Sequence, residues 1–187
     1  MYMITQAERV VPIPPSKLNE NIEDVVESLT WKMYEGQFGP DKSLTVLIKN
    51  VELEGPGRIV HGDGSVYQTV RFDQLVFRLK ENEVVEGHVV QITKFGAFVK
   101  FGPLEGLLHI SQVMDERVDV DEDNQRLIGK DSGRTLGVGD VVRARVISMD
   151  INEKNPQDSR IGLVTRGQVG LGRLEWIAED EKKRSGA

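Results

Sequence analysis

Two side chains of different chemistry lie two positions apart in a short apolar segment. If the segment 96–101 is a strand, Phe98 and Lys100 share one of its faces. The alternate residues Ala97, Val99 and Phe101 then form the core face. An aromatic ring beside an ammonium group suits single-stranded nucleic acid, because bases stack on rings and phosphates approach cations. Packing of Phe98 on the protein surface is the alternative.

Three further residues flank this pair in the pattern of predicted strands. Phe95 precedes the strand, and is either a second stacking ring or a plug of the core. His109 ends the next strand, and Arg160 begins the last one. A lone histidine is more typical of a structural role than of ligand binding, so His109 by itself favours neither reading.

Five short strands must position these residues. The apolar alternation predicts strands at residues 85–93, 96–101, 105–109, 141–150 and 160–165. Their number and size are typical of a five-stranded antiparallel barrel of the OB-fold kind. We expect no long helix beyond residue 80, and a charged, frayed tail over residues 179–187.

The connection 114–138 interrupts the barrel pattern with a run of acidic residues. It contains Asp115, Glu116, Asp119, Asp121, Glu122 and Asp123. These residues lack the glycine turn and the terminal glutamate of a calcium loop, so they predict a solvated charge run rather than a metal site. Arg143 and Arg145 share a strand face and could contact either phosphate or this acidic insertion.

The first eighty residues have a different pattern. They predict a strand at 3–13, a helix at 21–35, a central strand at 44–54 that packs on the helix, and a strand from residue 66. A glycine-dense loop at 55–65 joins the last two; it contains Gly57, Gly62, Asp63 and Gly64. The residues favour a plain hairpin connection over a phosphate cradle or a tip that enters a partner.

The polar segment at 80–83 divides the chain into domains 1–80 and 81–187, and the fold class is α+β. The chain has no cysteine, and its three histidines are scattered, which argues against a metal site or a cofactor. Its formal charge of −6 argues against tight binding of duplex DNA. No signal peptide or long apolar span is evident, so we expect a cytoplasmic location and no membrane contact.

Two stretches resemble a known domain family. Residues 85–100 and 105–111, followed by 139–150 and 160–163, are similar to the ribosomal S-one type RNA-binding domain. The resemblance implies an RNA-binding face at Phe95, Phe98, His109, Asp150 and Arg160. The chain departs from the family in the insertion at 114–138 and in an extra loop at 152–159, which leaves the register of Asp150 against Arg160 open.

The whole chain resembles the archaeal E-prime family of DNA-directed RNA polymerase stalk subunits. The resemblance includes the segments 12–15, 34–36, 57–64, 72–77 and 172–177. It implies a non-catalytic protein that forms a heterodimer with a smaller helical stalk subunit, docks on the polymerase core, and receives emerging single-stranded RNA. It also implies that the glycine-rich tip, with Gly57, Gly62, Asp63 and Gly64, enters the core enzyme.

Other proteins use the same barrel. A cap subunit of an RNA-degrading complex and the RNA-binding subunit of a translation initiation factor are the alternatives within RNA binding. A metal enzyme that uses the acidic insertion is an alternative from another class, but the chain shows no recognisable ligand spacing.

Overall fold

The structure, a computed structural model, describes residues 1–152 and 159–185. It contains two compact units, one formed by residues 1–79 and the other by residues 80–151 with 159–185. The first unit has strands β1 (Tyr2–Ile13), β2 (Leu44–Ile59) and β3 (Val66–Phe77), a 3₁₀ turn at Pro15–Lys17 and helix α1 (Ile22–Tyr34). The α+β fold class predicted for the chain is confirmed.

Helix α1 forms where its caps and apolar spacing predicted it. The side chain of Asn21 accepts a hydrogen bond from the Glu23 amide at 3.3 Å, and Gly36 follows the last turn with φ +72°. Its buried residues Val25 and Val26 pack into the core of the unit. The remaining buried members of this core come from the sheet: Val11, Ile13, Ile48, Val70 and Phe72.

The prediction that the strand beginning at Leu44 is central in its sheet is wrong. The sheet is antiparallel with the order β1-β3-β2, so β3 is central and β2 lies at an edge. The apolar start of β2 suggested a central strand, and Leu44 and Ile48 are indeed buried. Helix α1 packs against β2, and a packed helix can bury an edge strand as fully as two neighbouring strands do.

The predicted loop at 55–65 is also shorter than expected. Strand β2 continues to Ile59, because a bulge between Glu54 and Arg58 accommodates Gly55 in the left-handed region at φ +64°. Only residues 60–65 connect β2 to β3. The loop glycines Gly55 and Gly57 therefore belong to a bulged strand rather than to a turn.

The second unit contains a closed barrel. Its strands are β4 (Val84–Thr93), β5 (Gly96–Phe101), β6 (Leu104–His109), β10 (Val141–Asp150) and β11 (Arg160–Val164), in the order β11-β6-β5-β4-β10. Pairing of β10 with β11 closes the barrel. Because β11 runs parallel to β6, the expectation of a wholly antiparallel barrel is wrong. All five predicted strands are confirmed. The barrel core includes Val89, Ala97, Val99, Phe101, Leu108, Val142, Ala144, Val146, Ile161 and Leu163.

The acidic insertion is folded, while its acidic side chains remain exposed or half-buried. A 3₁₀ turn at Ile110–Gln112 leads into a three-stranded antiparallel sheet of β7 (Val118–Asp121), β8 (Arg126–Gly129) and β9 (Thr135–Gly137). Leu127 and Leu136 are buried beneath it. The acidic run formed a strand because alternate apolar residues, Val118 and Val120, occupy one side of β7.

Residues 174–185 are helical, which corrects the prediction of no long helix and, over residues 179–185, the prediction of a frayed tail. Residues 186–187 of that tail lie outside the described part of the chain. A short strand β12 (Gly172–Arg173) pairs with β10 and leads into helix α2 (Leu174–Ser185). Trp176 and Ile177 are buried, and the guanidinium of Arg134 lies 5.6 Å from the centre of the Trp176 ring. With only two buried apolar residues, the helix left a weak signal in the sequence. Neither helix in residues 1–152 and 159–185 is long and apolar enough to cross a membrane.

Candidate nucleic-acid interface

Strand β5 presents Phe98 and Lys100 on the outer face of the barrel. Lys100 is exposed and Phe98 is half-buried, whereas Ala97, Val99 and Phe101 are buried at 0–2% exposure. The alternation predicted for this strand is therefore confirmed. Its neighbours set the surroundings of each side chain: Phe98 pairs with Gln91 of β4 and Leu107 of β6, and Lys100 pairs with His88 and Glu105.

A glycine fixes the turn before this strand. Gly96 has φ +144°, and a Cβ at this position would lie 2.1 Å from the Leu108 carbonyl oxygen. Only glycine permits so close an approach of two strands. The preceding residue, Phe95, is 69% exposed, and its carbonyl accepts a hydrogen bond from the Ile110 amide at 2.9 Å. The ring of Phe95 is therefore displayed by a fixed backbone and is not a plug of the core.

His109 lies directly opposite Gly96 at the end of β6, and its side chain is exposed. Its Nδ1 accepts a hydrogen bond from the Ser111 amide at 3.2 Å and lies 2.8 Å from the Ser111 hydroxyl oxygen. Because Nδ1 accepts, the neutral ring carries its proton on Nε2. The ring is thus held as a cap of the 3₁₀ turn while Nε2 is directed to donate.

The register between Asp150 and Arg160, open at the level of sequence, is set by strand pairing. The two residues are direct partners in the β10–β11 ladder, and both are exposed. A bulge between Val146 and Ser148 shifts the register that leads to this pair. Of the extra loop predicted at 152–159, residues 153–158 lie outside the described part of the chain.

The predicted interface residues therefore occupy connected strands. Phe98 and Lys100 are on β5, His109 is on the adjacent β6, and the latter's other neighbour β11 carries Arg160. The turn before β5 and the end of β6 bring Phe95 and His109 to one end of this strand pair. Four of the predicted residues thus lie on the neighbouring strands β5, β6 and β11, Phe95 lies in the turn before β5, and Asp150 lies on β10 opposite Arg160.

The surroundings of Lys100 and Arg143 were not evident in the sequence. Glu105 faces Lys100 across the β5–β6 ladder. Arg143 forms an ion pair at 2.7 Å with Glu86, its partner in the β4 ladder, rather than with the acidic insertion. Each contact joins residues of two strands through their register, and periodicity along one strand carries no information on register.

The tip of the first unit is a tight turn at residues 60–63. The Asp63 amide donates to the Val60 carbonyl at 3.1 Å, and Gly62 has φ +90° with open space around it. The Asp63 carboxylate accepts hydrogen bonds from the Tyr67 hydroxyl and the Ser65 amide. These bonds lower the pKa of Asp63, the Tyr67 bond first, and the bond to Asp63 raises the pKa of Tyr67.

The glycines of the tip occupy different structural environments. A left-handed conformation requires glycine at Gly62, whereas Gly64 does not have a positive φ. At Gly64 a Cβ would lie 3.2 Å from Cγ of Pro15. At Gly57 it would lie 2.7 Å from a methyl group of Val66, so close packing of strands accounts for this residue.

No group of three or more histidine, aspartate and glutamate side chains within residues 1–152 and 159–185 is placed to hold a metal ion. Two acidic residues of strand β7 form ion pairs with basic side chains. Asp121 lies 2.8 Å from Arg126, and Asp119 lies 3.0 Å from Lys130.

Comparison with known proteins divides the chain in the same two regions. Residues 78–160 match the S1 RNA binding domain family, and residues 8–64 match the SHS2 domain found in the N terminus of Rpb7p/Rpc25p/MJ0397. A ribosomal protein bS1 homolog of Bacillus cereus is 33% identical over 66% of this chain and 30% of its own length. The barrel is thus shared with proteins of other kinds.

Two archaeal relatives match the chain along nearly its whole length. The DNA-directed RNA polymerase subunit Rpo7 of Saccharolobus shibatae is 36% identical over 97% of this chain and 100% of its own. The Rpo7 protein of Sulfolobus acidocaldarius is 34% identical over 99% of this chain and 100% of its own. Because both regions match together and end to end, the chain belongs to the archaeal Rpo7, or E-prime, family of DNA-directed RNA polymerase subunits.

Proposed function

We propose that the chain is the non-catalytic stalk subunit of a DNA-directed RNA polymerase and that its barrel holds emerging single-stranded RNA. The observation that carries the RNA-binding part is the division of β5 into a buried face and an outer face that displays Phe98 and Lys100. A ring and a cation on one strand face combine stacking with attraction of the RNA backbone.

The remaining residues of the proposed interface add complementary contacts. Phe95 offers a second exposed ring, His109 offers a hydrogen-bond donor at Nε2, and Arg160 offers a guanidinium beside the acceptor Asp150. Base stacking and a few cations suit sequence-tolerant capture, which a chain with a formal charge of −6 can achieve only through a local surface.

Residues 1–80 form the polymerase-docking domain in this proposal, and residues 81–187 form the RNA-binding domain. The tip, with Gly57, Gly62, Asp63 and Gly64, docks on the polymerase core. Its apolar side chains Ile59 and Val60 are 76% and 49% exposed. Such exposure supports a partner contact at the tip, because neighbouring apolar side chains left in water are stabilised when a partner protein covers them.

The smaller helical stalk subunit is the proposed partner in a heterodimer. The sheet face opposite α1 carries an apolar cluster, because Tyr2 and Ile4 of β1 lie beside Leu75 of β3 and Leu47 of β2. Ile4 is 78% exposed and Tyr2 is 49% exposed. A soluble complex in the cytoplasm would bury this cluster.

Affinity purification of the tagged chain from its native cell tests the assembly. We expect the large polymerase subunits together with one small helical protein in equal amount. Recovery of nuclease or ribosomal components instead would contradict the polymerase assignment and leave only the RNA-binding barrel.

Substitution of Phe98 by alanine tests the RNA-binding face. We expect the affinity for single-stranded RNA to fall by about 1–3 kcal/mol, the usual contribution of one stacked base. Fluorescence anisotropy at fixed salt measures the affinity, and co-purification of the small partner subunit is the control, which should not change. An unaltered RNA affinity would place the binding site elsewhere.

A further inference from the structure

The acidic insertion reaches the turn that displays Phe95. The β7–β8 hairpin places Glu122 at its tip, where one carboxylate oxygen lies 3.7 Å from Nζ of Lys94. Lys94 immediately precedes Phe95 in the β4–β5 turn. The insertion itself begins a few residues after His109, so it arises from one end of the proposed RNA-binding face and returns to it.

The hairpin tip is held in a defined shape. Asp121 accepts hydrogen bonds from the side chain and amide of Asn124 and from Nε of Arg126. These bonds, with that of the Asn124 side chain foremost, lower the pKa of Asp121 and keep it ionised. At the base of the hairpin, Asp119 is paired with Lys130. Glu122 is therefore presented by an ordered turn.

The tip places negative charge beside a cation of the face. Residues 121–126 carry three acidic side chains against one arginine. An RNA phosphate that approached Lys94 would compete with Glu122 for the ammonium group and would be repelled by the like charges of Glu122 and the neighbouring Asp123. Such charges interact over about 10 Å at 0.1 M salt, which covers the distance across one nucleotide.

We propose that Glu122 is a positioning residue of the RNA-binding face: it occupies Lys94 and ends the RNA path at Phe95. The inference deepens the proposed function and rests on it. Without this contact, the path would extend past Phe95 onto Lys94. The negative charge of the insertion thus limits bound RNA to the part of the barrel that carries Phe98, Lys100 and His109.

Removal of the negative charge of Glu122 tests whether the insertion limits the RNA path. In the full chain, Glu122→Gln frees Lys94, and we expect a labelled single-stranded RNA of about 16 nucleotides to bind about two- to fivefold more tightly. Because one more phosphate is neutralised, the slope of log K against log salt should become steeper by about 0.7. Unchanged affinity and slope would overturn the proposal.

A double-mutant cycle separates the local contact from a general effect of charge. Lys94→Ala should leave RNA affinity unchanged in the natural chain, where Glu122 occupies the lysine, but should abolish the gain in the Glu122→Gln background. Equal weakening of RNA binding by Lys94→Ala in both backgrounds would overturn the proposal, because Lys94 would then contact RNA despite Glu122.

Asp131→Asn is the matched control. It removes one negative charge from the same insertion, in the turn at the opposite end of β8, which is about 13 Å long. We expect no gain in RNA affinity from Asp131→Asn. A gain equal to that of Glu122→Gln would show that the effect comes from net charge and not from the Glu122–Lys94 contact.

The failure of this inference can be distinguished from the failure of the proposed function. If Phe98→Ala leaves RNA binding intact, the proposed RNA-binding face is wrong. If Phe98→Ala weakens RNA binding as expected but Glu122→Gln does not strengthen it, only this inference is wrong.

Discussion

The sheet of one unit is closed into a barrel, whereas the sheet of the other is open. In the barrel, pairing of β10 with β11 closes the sheet, and the apolar side chains turn into an enclosed core. In the first unit the sheet is open, with β1 and β2 at its edges and only one face covered by α1. Ile4 and Ile59 are exposed there by more than three quarters. The barrel is complete by itself, whereas the first unit retains surface that suits other proteins.

The largest expected effect contrasts two glycines, one in each unit. Gly96→Ala places a Cβ 2.1 Å from the Leu108 carbonyl, and the barrel strands must separate to admit it. We expect a loss of about 3 kcal/mol or more in the free energy of unfolding, or failure to fold. Urea denaturation measures this loss.

Gly62→Ala is the matched substitution at the tip. Gly62 also has a positive φ, but nothing lies within 4 Å of the added Cβ. The cost should be only about 1 kcal/mol, from backbone strain alone. Equal losses from the two substitutions would show that strain, and not close packing of strands, dominates at Gly96.

A charge on the open sheet should break the assembly without unfolding the chain. Ile4→Glu changes a side chain that is 78% exposed, so the free energy of unfolding should change by less than about 0.5 kcal/mol. Binding of the small helical subunit should weaken by about 2 kcal/mol, because the carboxylate would be buried in the interface. Isothermal calorimetry with the purified subunit measures this change.

Val169→Glu is the control on the second unit, where Val169 is 73% exposed. It introduces the same charge on a unit whose core is already closed, and we expect partner binding to persist. If both variants bind the partner normally, the open sheet of the first unit is not the surface that binds the small subunit.

The smallest expected effect concerns helix α2. The hydrogen bond from Arg134 lowers the pKa of Asp180, so the folded state binds the proton less readily than the unfolded state. The contribution is therefore present above the unfolded pKa of about 3.9 and is lost as the pH falls below it toward the lower folded pKa.

Asp180→Asn should cost less than about 1 kcal/mol near neutral pH, since solvent screens this ion pair. As the pH falls below about 3.9 toward the lower folded pKa, the variant and the natural chain should converge in stability, because Asp180 then becomes protonated in the folded state as well. Thermal unfolding monitored across this range checks the convergence. A difference that persists unchanged at low pH would assign the cost to packing rather than to charge.

Local patterns predicted the elements with a clear period. Helix α1 followed from the spacing of Val25 and Val26 and the cap at Asn21, and the outward face of β5 followed from simple alternation. Helix α2 was missed because its exposed turns are charged and only Trp176 and Ile177 are buried. Patterns reveal an element when it buries a regular face, and α2 buries little.

Contacts between distant segments were out of reach of the sequence. Alternation along a strand places Lys100 outward but does not show that Glu105 lies opposite it. Nor does the acidic run reveal that it folds as β7 and β8 and brings Glu122 to Lys94. Both contacts depend on register and on turns that pair residues remote in the chain.

The sequence by itself determined which side chains face inward and outward where a strand alternates clearly, as in β5, and which family the chain resembles. It did so because alternation and motif spacing are properties of a single segment. Only the tertiary structure decided that β3 is central, that Asp150 meets Arg160, and that the insertion borders Phe95. Those features depend on which strands pair and in which register, and packing of the whole unit decides this rather than the periodicity of any one segment.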